Sequence, residues 1–399
     1  MPRSSRRSRD LAALLGCAGL LLVGFSSLLA PALIRSIEAD FGQTDAGMGI
    51  WFLANSIGYV TGSMGGGFLT ERIGRRVVLS LGALLMAAGL VALGTVPTWE
   101  LALAAAIPLG IGGGVLDGGS NGLILDLYPT SRGRALNLLH LSFSLGALAS
   151  PLVAGQLVER GVAWQAVVLG TAVLALPLAV LYAVTQLPSG RHRRVAGTSR
   201  IRVGLAWPLV ALAVAIGCYV ASEVGVSNWL VRFLESASVG LATSALALFW
   251  GCLALGRLAS ARWSDRFDHA RFAAVAAIVS AVALLAAVAV PSLPASIVLF
   301  GVVGFAYGPV YPLIMAVAGD RYPTRSAAVS GFLAGMAVIG SIIYPPFMGF
   351  LSVEVGLGPA MTGAAILAFI SGVALLLVAR ARAAEVEVRA AEVAARPAA

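Results

Sequence analysis

The chain has 399 residues, of which 59% are apolar and only 11% charged, with a mean hydropathy of +0.92. Ordinary soluble domains carry about 25% charged residues, so this balance excludes a water-soluble globular fold. The net charge of +9 is not a nucleic-acid footprint, because the basic residues lie in short loops between apolar runs.

A membrane-spanning helix takes about 20 apolar residues. The basic start MPRSSRRSRD leads into an apolar run at 11–34. Alone it resembles a signal peptide, and Leu14-Leu15-Gly16-Cys17 resembles a lipoprotein cleavage box. The run is long enough to span and many more follow, so an uncleaved first helix is expected. Further runs lie at 46–69, 77–97, 101–125, 135–158 and 163–187. After a basic stretch come 205–231, 240–261, 272–290, 294–318, 326–350 and 358–380. The pattern predicts an all-α integral membrane protein with twelve transmembrane helices. It divides into a six-helix bundle at 1–187, a central loop at 188–204, a second bundle at 205–380 and a tail at 381–399. Cys17, Cys218 and Cys252 all fall inside spans and read as core residues, not as a disulfide framework or metal site.

The arginines support this layout, since the chain has no lysine. Only Arg35, Arg160 and Arg232 fall opposite the termini and Arg257 falls within span eight, so the rest of the 27 basic residues share the side of the termini. Such a bias predicts both termini in the cytoplasm. The sequence also repeats itself. Glu71-Arg72 recurs as Asp265-Arg266, DLYPT at 126–130 as DRYPT at 320–324, and Pro151 and Gly155 as Pro345 and Gly349, always 194 residues on. Two homologous halves in parallel repeat place a solute path between them near the bilayer midplane.

Between spans two and three runs GFLTERIGRR, from Gly67 to Arg76. Gly67 suits close helix approach, and Gly74 a tight reversal. Glu71 can meet an arginine or a helix N-terminus, while Arg72, Arg75 and Arg76 hold the turn in the cytoplasm. The stretch resembles the signature loop of the major facilitator superfamily, G-x-x-x-(D/E)-R-x-G-R-R. Its second copy is degraded, with Asp268 in place of Gly74 and His269 in place of Arg75. The resemblance implies alternating access by two six-helix halves. It also implies that Glu71, Arg72 and Asp126 form a charge latch, with Arg132 beyond the turn and Asp265 and Arg266 in the second copy.

Charge in the hydrocarbon region is costly and marks function by default. Asp117 lies in span four within GIGGGVLDGGSNG, with Ser120 and Asn121 at i+3 and i+4 on its face. It is the leading proton-coupling candidate, against the plain alternative of a structural aspartate paired in the bundle. Glu223 in span seven and His140 in span five are the other two titratable candidates. A paired Glu223, with Asn55, Tyr59 or Arg257 across the bundle, is the competing reading. A satisfied buried histidine is the commoner fate of His140. Solute-contact candidates are Asn55, Tyr59, Ser120, Asn121, Asn137, Tyr219, Asn228, Trp229, Tyr307 and Tyr311. The last two flank a Gly308–Pro309 break in span ten that suits gating, an aromatic platform or a simple packing kink.

Three stretches resemble the fucose-permease-like sugar–proton symporters: G-x-G-G-G-x-x-D-x-x-x-N in span four, RALNLLHLSFSLGALASPLVAG, and YVASEVGVSNWLVRFL. The chain departs from that group in carrying Asp117 where the group has glutamate, and in lacking an acid in span one. The resemblance implies a proton-coupled symporter of a small polar solute, with a sugar as the class in view. The rival is a proton-driven drug or metabolite exporter, which Gly146-x-x-x-Ser150-Pro151-x-x-x-Gly155 partly resembles. With three histidines and no nucleotide or metalloprotease motif, an enzyme is not expected, nor a cofactor or metal. A monomer in the cell membrane is expected, with a small solute, protons and the bilayer as partners.

Overall fold

In the computed structural model, residues 6–129, 132–190, 207–322 and 326–394 are described. Among them the chain is helical, with no strand. Span one is two helices, α1 (Arg6–Ser27) and α2 (Leu29–Phe41). Pro31 brings no N–H to the i→i−4 ladder, so the Ser27 carbonyl loses its helical donor and the rod breaks at Leu28. Then come α3 (Asp45–Ile73), α4 (Arg75–Thr95), α5 (Trp99–Leu127), α6 (Arg132–Glu159) and α7 (Trp164–Val184). The second series is α8 (Trp207–Phe233), α9 (Val239–Trp263), α10 (His269–Ala289), α11 (Leu293–Tyr307), α12 (Val310–Arg321), α13 (Ser326–Val355) and α14 (Leu357–Ala394). Here α11 and α12 form one span broken at Gly308–Pro309, as the sequence predicts.

Eleven of these segments are long and apolar enough to cross a membrane. The twelfth is α3, 29 residues long, whose glycines and polar residues dilute its hydropathy. It does not need a fully apolar surface, because it packs along α5 and α13. The twelve segments match the predicted spans to within a few residues at most ends. An even number of crossings puts both ends of the chain on one face, called here the termini face. The opposite one is the far face.

The repeat is written in the backbone. With no hydrophobic drive between helices in lipid, close packing through small residues takes its place. A methyl group at Gly62 would lie 2.1 Å from the Ile111 carbonyl oxygen, and one at Gly256 would lie 2.1 Å from that of Phe305. At Gly110 it would meet Asn55 O at 2.1 Å, and at Gly304 Phe249 O at 2.2 Å. At Gly114 it would meet Tyr59 O at 1.9 Å, and at Gly308 Leu253 O at 2.6 Å. Each second member stands 194 residues after the first, so the α3–α5 contact recurs between α9 and α11.

The two series meet where α3 packs on α13, α6 on α9 and α2 on α8. Near the far face this seam is tight. A methyl group at Gly49 would fall 2.6 Å from Pro346 O, and one at Gly155 would fall 1.8 Å from Thr243 Oγ1. Towards the termini face, Gly65 and Gly67 on α3 and Gly331 and Gly335 on α13 have nothing within 4 Å of such a group. The structure is therefore closed at the far face and open at the termini face. The close approach read into Gly67 is absent in this state.

Candidate functional site

A cavity of about 220 Å³ lies on the seam. From the first series it takes Ser26 and Ser27 at the α1–α2 break, then Trp51, Phe52, Asn55, Ser56 and Tyr59 along one stripe of α3. From the second come Ser227, Asn228, Trp250 and Ser341. Ser56 and Trp250 are repeat mates, so the two series contribute equivalent positions with different chemistry. The Trp250 indole donates to Ser227 Oγ at 2.9 Å, and its ring stands edge-on to Phe143 at 5.8 Å. Aromatic faces beside amides and hydroxyls are what a small solute with both apolar and hydrogen-bonding surfaces requires.

Tyr59 links this cavity to the intramembrane acid. Its hydroxyl donates to Asp117 Oδ2 at 2.8 Å. Asn121 Nδ2 donates to Asp117 Oδ1 at 2.8 Å and to its carbonyl at 2.9 Å. Both carboxylate oxygens are thus occupied by neutral donors, and no cation is bonded to them among the described residues. His140, exposed on α6, is within electrostatic range of Asp117.

Across the seam, Arg257 reaches both series. Its Nη1 donates to Ser144 Oγ of α6 at 3.2 Å, and its Nη2 stands 3.9 Å from Glu223 Oε1. Glu223 is buried, 7% exposed. Of the sequence's two readings of this acid, the structure contains the Arg257 pair, though a loose one. Tyr311, half-buried, is in electrostatic range of Asp117, Arg257 and Glu223. It is also the repeat mate of Asp117, so the polar centre is asymmetric by one charge.

Several candidates lie elsewhere. Ser120 is fully buried, with its Oγ beside Gly19 of α1. Trp229 is fully buried, donates to Pro345 O at 2.7 Å and stacks edge-on against Phe52. Tyr219 donates to Tyr307 O at 3.2 Å, and Tyr307 Oη lies 2.5 Å from Ser222 Oγ. Both rings are wholly buried. These four hold helices together in this state and do not line the cavity. Asn137 is exposed on α6 towards the termini. Sequence reasoning missed Trp51, Phe52, Ser56 and Trp250. The signal was available as Phe52, Asn55, Ser56 and Tyr59 at i, i+3, i+4 and i+7.

The signature loop is also rearranged from its expected pairing. Gly74 turns the chain at φ 91°. Asp126 is met by Arg75 at 2.8 Å, not by Arg72. Arg75 also donates to Pro188 O at 3.3 Å, and its backbone N–H to Ser189 O at 3.0 Å. Arg76 caps the Ala183 carbonyl. Glu71 makes no ion pair among the described residues, and Arg72 lies over the Phe68 ring at 4.2 Å. Arg266 is exposed. The side chains of Arg132 and Asp265, with residues 191–206 of the central loop, lie outside the described part. Because Arg75 is only 5% exposed while Asp126 is 25% exposed, Asp126→Asn is expected to destabilise the fold by about 1–2 kcal/mol. A thermal melt reads this, with Glu71→Gln as the neutral control.

At the far face the seam carries its own polar set. Arg35 of α2 donates to the Val231 carbonyl at 2.7 Å, to Ala237 O at 2.9 Å and to Leu234 O. It thereby caps the C-terminal end of α8. Arg232 donates from Nε to Asp45 Oδ1 at 2.8 Å. Ser352 Oγ of α13 donates to Asp45 Oδ2 at 2.6 Å, and Gly240 N to Glu159 at 2.8 Å.

The family model described as the Major Facilitator Superfamily matches residues 15–236 and again 203–399. The rat "Sodium-dependent glucose transporter 1" is 33% identical over 137 residues, 34% of this chain and 28% of that protein. The chain therefore matches less than a third of that relative's length. The "Cis,cis-muconate transport protein" of Acinetobacter baylyi is 24% identical over 94% of this chain and 96% of its own. Among solved structures, FucP in its outward conformation aligns with a TM-score of 0.65 at 20% identity, covering 93% of this chain and 99% of that one. A twelve-segment helical fold, a backbone repeat at 194 residues and a family model that matches over most of the chain lead to one assignment: the chain belongs to the Major Facilitator Superfamily.

Proposed function

We propose that this protein is a secondary active transporter, not an enzyme, that carries a small polar solute across the cell membrane by alternating access and couples it to protons through Asp117. The observation that carries this reading is the Tyr59–Asp117 hydrogen bond. It ties a cavity-lining tyrosine to an intramembrane carboxyl that bonds no cation among the described residues. Occupation of the cavity and protonation of Asp117 then act on the same tyrosine. Asn55 and Ser56 of α3 and Asn228 of α8, beside Trp51 and Trp250, support a sugar as solute. The name of the glucose transporter relative points the same way.

In this reading the halves at 1–187 and 205–380 move against each other as a monomer, with the central loop 188–204, the tail 381–399 and both termini in the cytoplasm. His140 and Glu223 are secondary proton groups. Glu71, Arg72 and Asp126 form a latch in the opposite, far-face-open state. Glu71→Gln is accordingly expected to raise the labelling of a cysteine placed at Asn137 from the termini side. Unchanged labelling would remove Glu71 from the latch.

A second reading, export of an organic cation, draws on the cavity's rings above an acid, since cations bind aromatic faces. Proton movement in proteoliposomes separates the two. A panel of hexoses, muconate and lipophilic cations is added to the wild type under an imposed pH gradient. Solute-driven alkalinisation of the external medium supports symport. Proton-driven cation efflux would establish the second reading, and no proton movement with any solute would end both.

A further inference from the structure

At the far-face seam two acids converge on one nitrogen of Arg232. Arg232 Nε carries a single hydrogen, directed at Asp45, yet Glu38 Oε2 also lies 3.1 Å from the same nitrogen. The other oxygen of Asp45 is filled by Ser352, and the Arg232 Nη1 is taken by Glu235. Glu38 is 8% exposed, and its Oε1 is buried with no hydrogen-bond partner. The Glu38 and Asp45 carboxyls thus flank a single nitrogen, at 3.1 and 2.8 Å. The other charges around Glu38 are Arg35 on its own helix, committed to three carbonyls across the seam, and exposed Glu235 after α8. Glu159 on α6 is turned to the Gly240 amide, and Asp40 to Trp164 and Gln165 of α7.

We propose that Glu38 and Asp45 form a second proton-binding site, distinct from Asp117, which is loaded when the far face closes and emptied when it opens. Two carboxyl groups crowded on one nitrogen do not both stay ionised away from water without cost, and the buried Glu38 Oε1 has no donor. Both acids stand on the first series of helices, whereas Arg232 and Ser352 stand on the second. Opening the seam withdraws those two donors and admits water, in which each acid ionises. Closure then binds a proton that opening releases, so lowering the pH favours the closed far face, by at most about tenfold per pH unit for one proton. The proposal rests on the alternating-access reading above and adds a pH sensor to it.

The test is a distance between spin labels at Val162→Cys and Ser236→Cys, both on the far face, in a background where the three native cysteines are serine. In lipid nanodiscs without solute, the short-distance population should rise at least tenfold relative to the long one between pH 8 and pH 5.5. In Glu38→Gln, which mimics the protonated acid, it should be high at both values. Should that variant fail to fold, Asp45→Asn is expected to flatten the same response. A distance that is independent of pH, or that lengthens in acid, overturns the proposal, as does an open Glu38→Gln. Labels at Met64→Cys and Leu258→Cys, towards the termini face, keep the two ideas apart. If neither face ever changes distance, it is alternating access that fails. If both faces exchange without regard to pH, only the carboxyl pair fails.

Discussion

Asp117→Asn is expected to leave solute exchange running while ending uphill accumulation. The amide is nearly the same size and keeps a carbonyl oxygen for Asn121 Nδ2, now 2.8 Å from Oδ1. Tyr59 can turn its hydroxyl from donor to acceptor and take the new N–H, so the α3–α5 contact survives. What is lost is a group that can gain and lose a proton. One charge moved through 100 mV is worth about 2.3 kcal/mol, or ~50-fold accumulation at 1.4 kcal/mol per factor of ten. The wild type should approach that ratio, and the variant should stay near unity. Labelled-solute counterflow at equal pH on both sides should proceed in both. Accumulation by the variant at the wild-type level would dismiss Asp117 as the coupling residue.

Gly114→Ala is expected to damage the fold and the site together. The added methyl would sit 1.9 Å from the Tyr59 carbonyl oxygen, which is backbone and cannot rotate away. Helix α3 must move off α5 at the very residue whose hydroxyl holds Asp117. Overpacking of this kind costs about 1–3 kcal/mol, read as a lower melting temperature in detergent, with transport falling alongside it. Gly67→Ala is the control, because nothing lies within 4 Å of that methyl, and it should melt with the wild type. If Gly67→Ala nonetheless transports poorly, the close approach read from the sequence belongs to the far-face-open state.

The architecture was legible because it depends on quantities that sequence carries directly: run length, arginine placement and a fixed repeat. Only α3 strained the hydropathy signal, through the glycines that let it pack. The site was half legible. Asn55, Tyr59 and Asn228 line the cavity, and Asn121 holds Asp117, but face-sharing at i+3 and i+4 was too coarse. At about 100° per residue, Ser120 and Asn121 lie to either side of Asp117, one facing α1 and the other its carboxylate. Asn228 and Trp229 part in the same way, the first to the cavity and the second to the Pro345 carbonyl. Aromatic and hydroxyl residues serve equally as helix glue or as solute contacts, and only the neighbouring helix decides. Arg257 was expected only as one possible partner of Glu223, because its backbone lies nearer the termini. A long side chain closes such a gap.

The break at Leu28 makes α2 a short lever. Its fulcrum is Ser27–Leu28, in the cavity wall, and its outer arm carries Arg35 and Glu38. At 1.5 Å per residue these lie about 10 and 15 Å from the pivot. A tilt of about 15° at the fulcrum therefore displaces Glu38 by about 4 Å on that rise, more than a hydrogen bond's length, and leaves α1 where it stands. A thirteen-residue arm can thus part α2 from α8 ahead of the halves, while the α3–α13 and α6–α9 contacts still seal the rest of the far face.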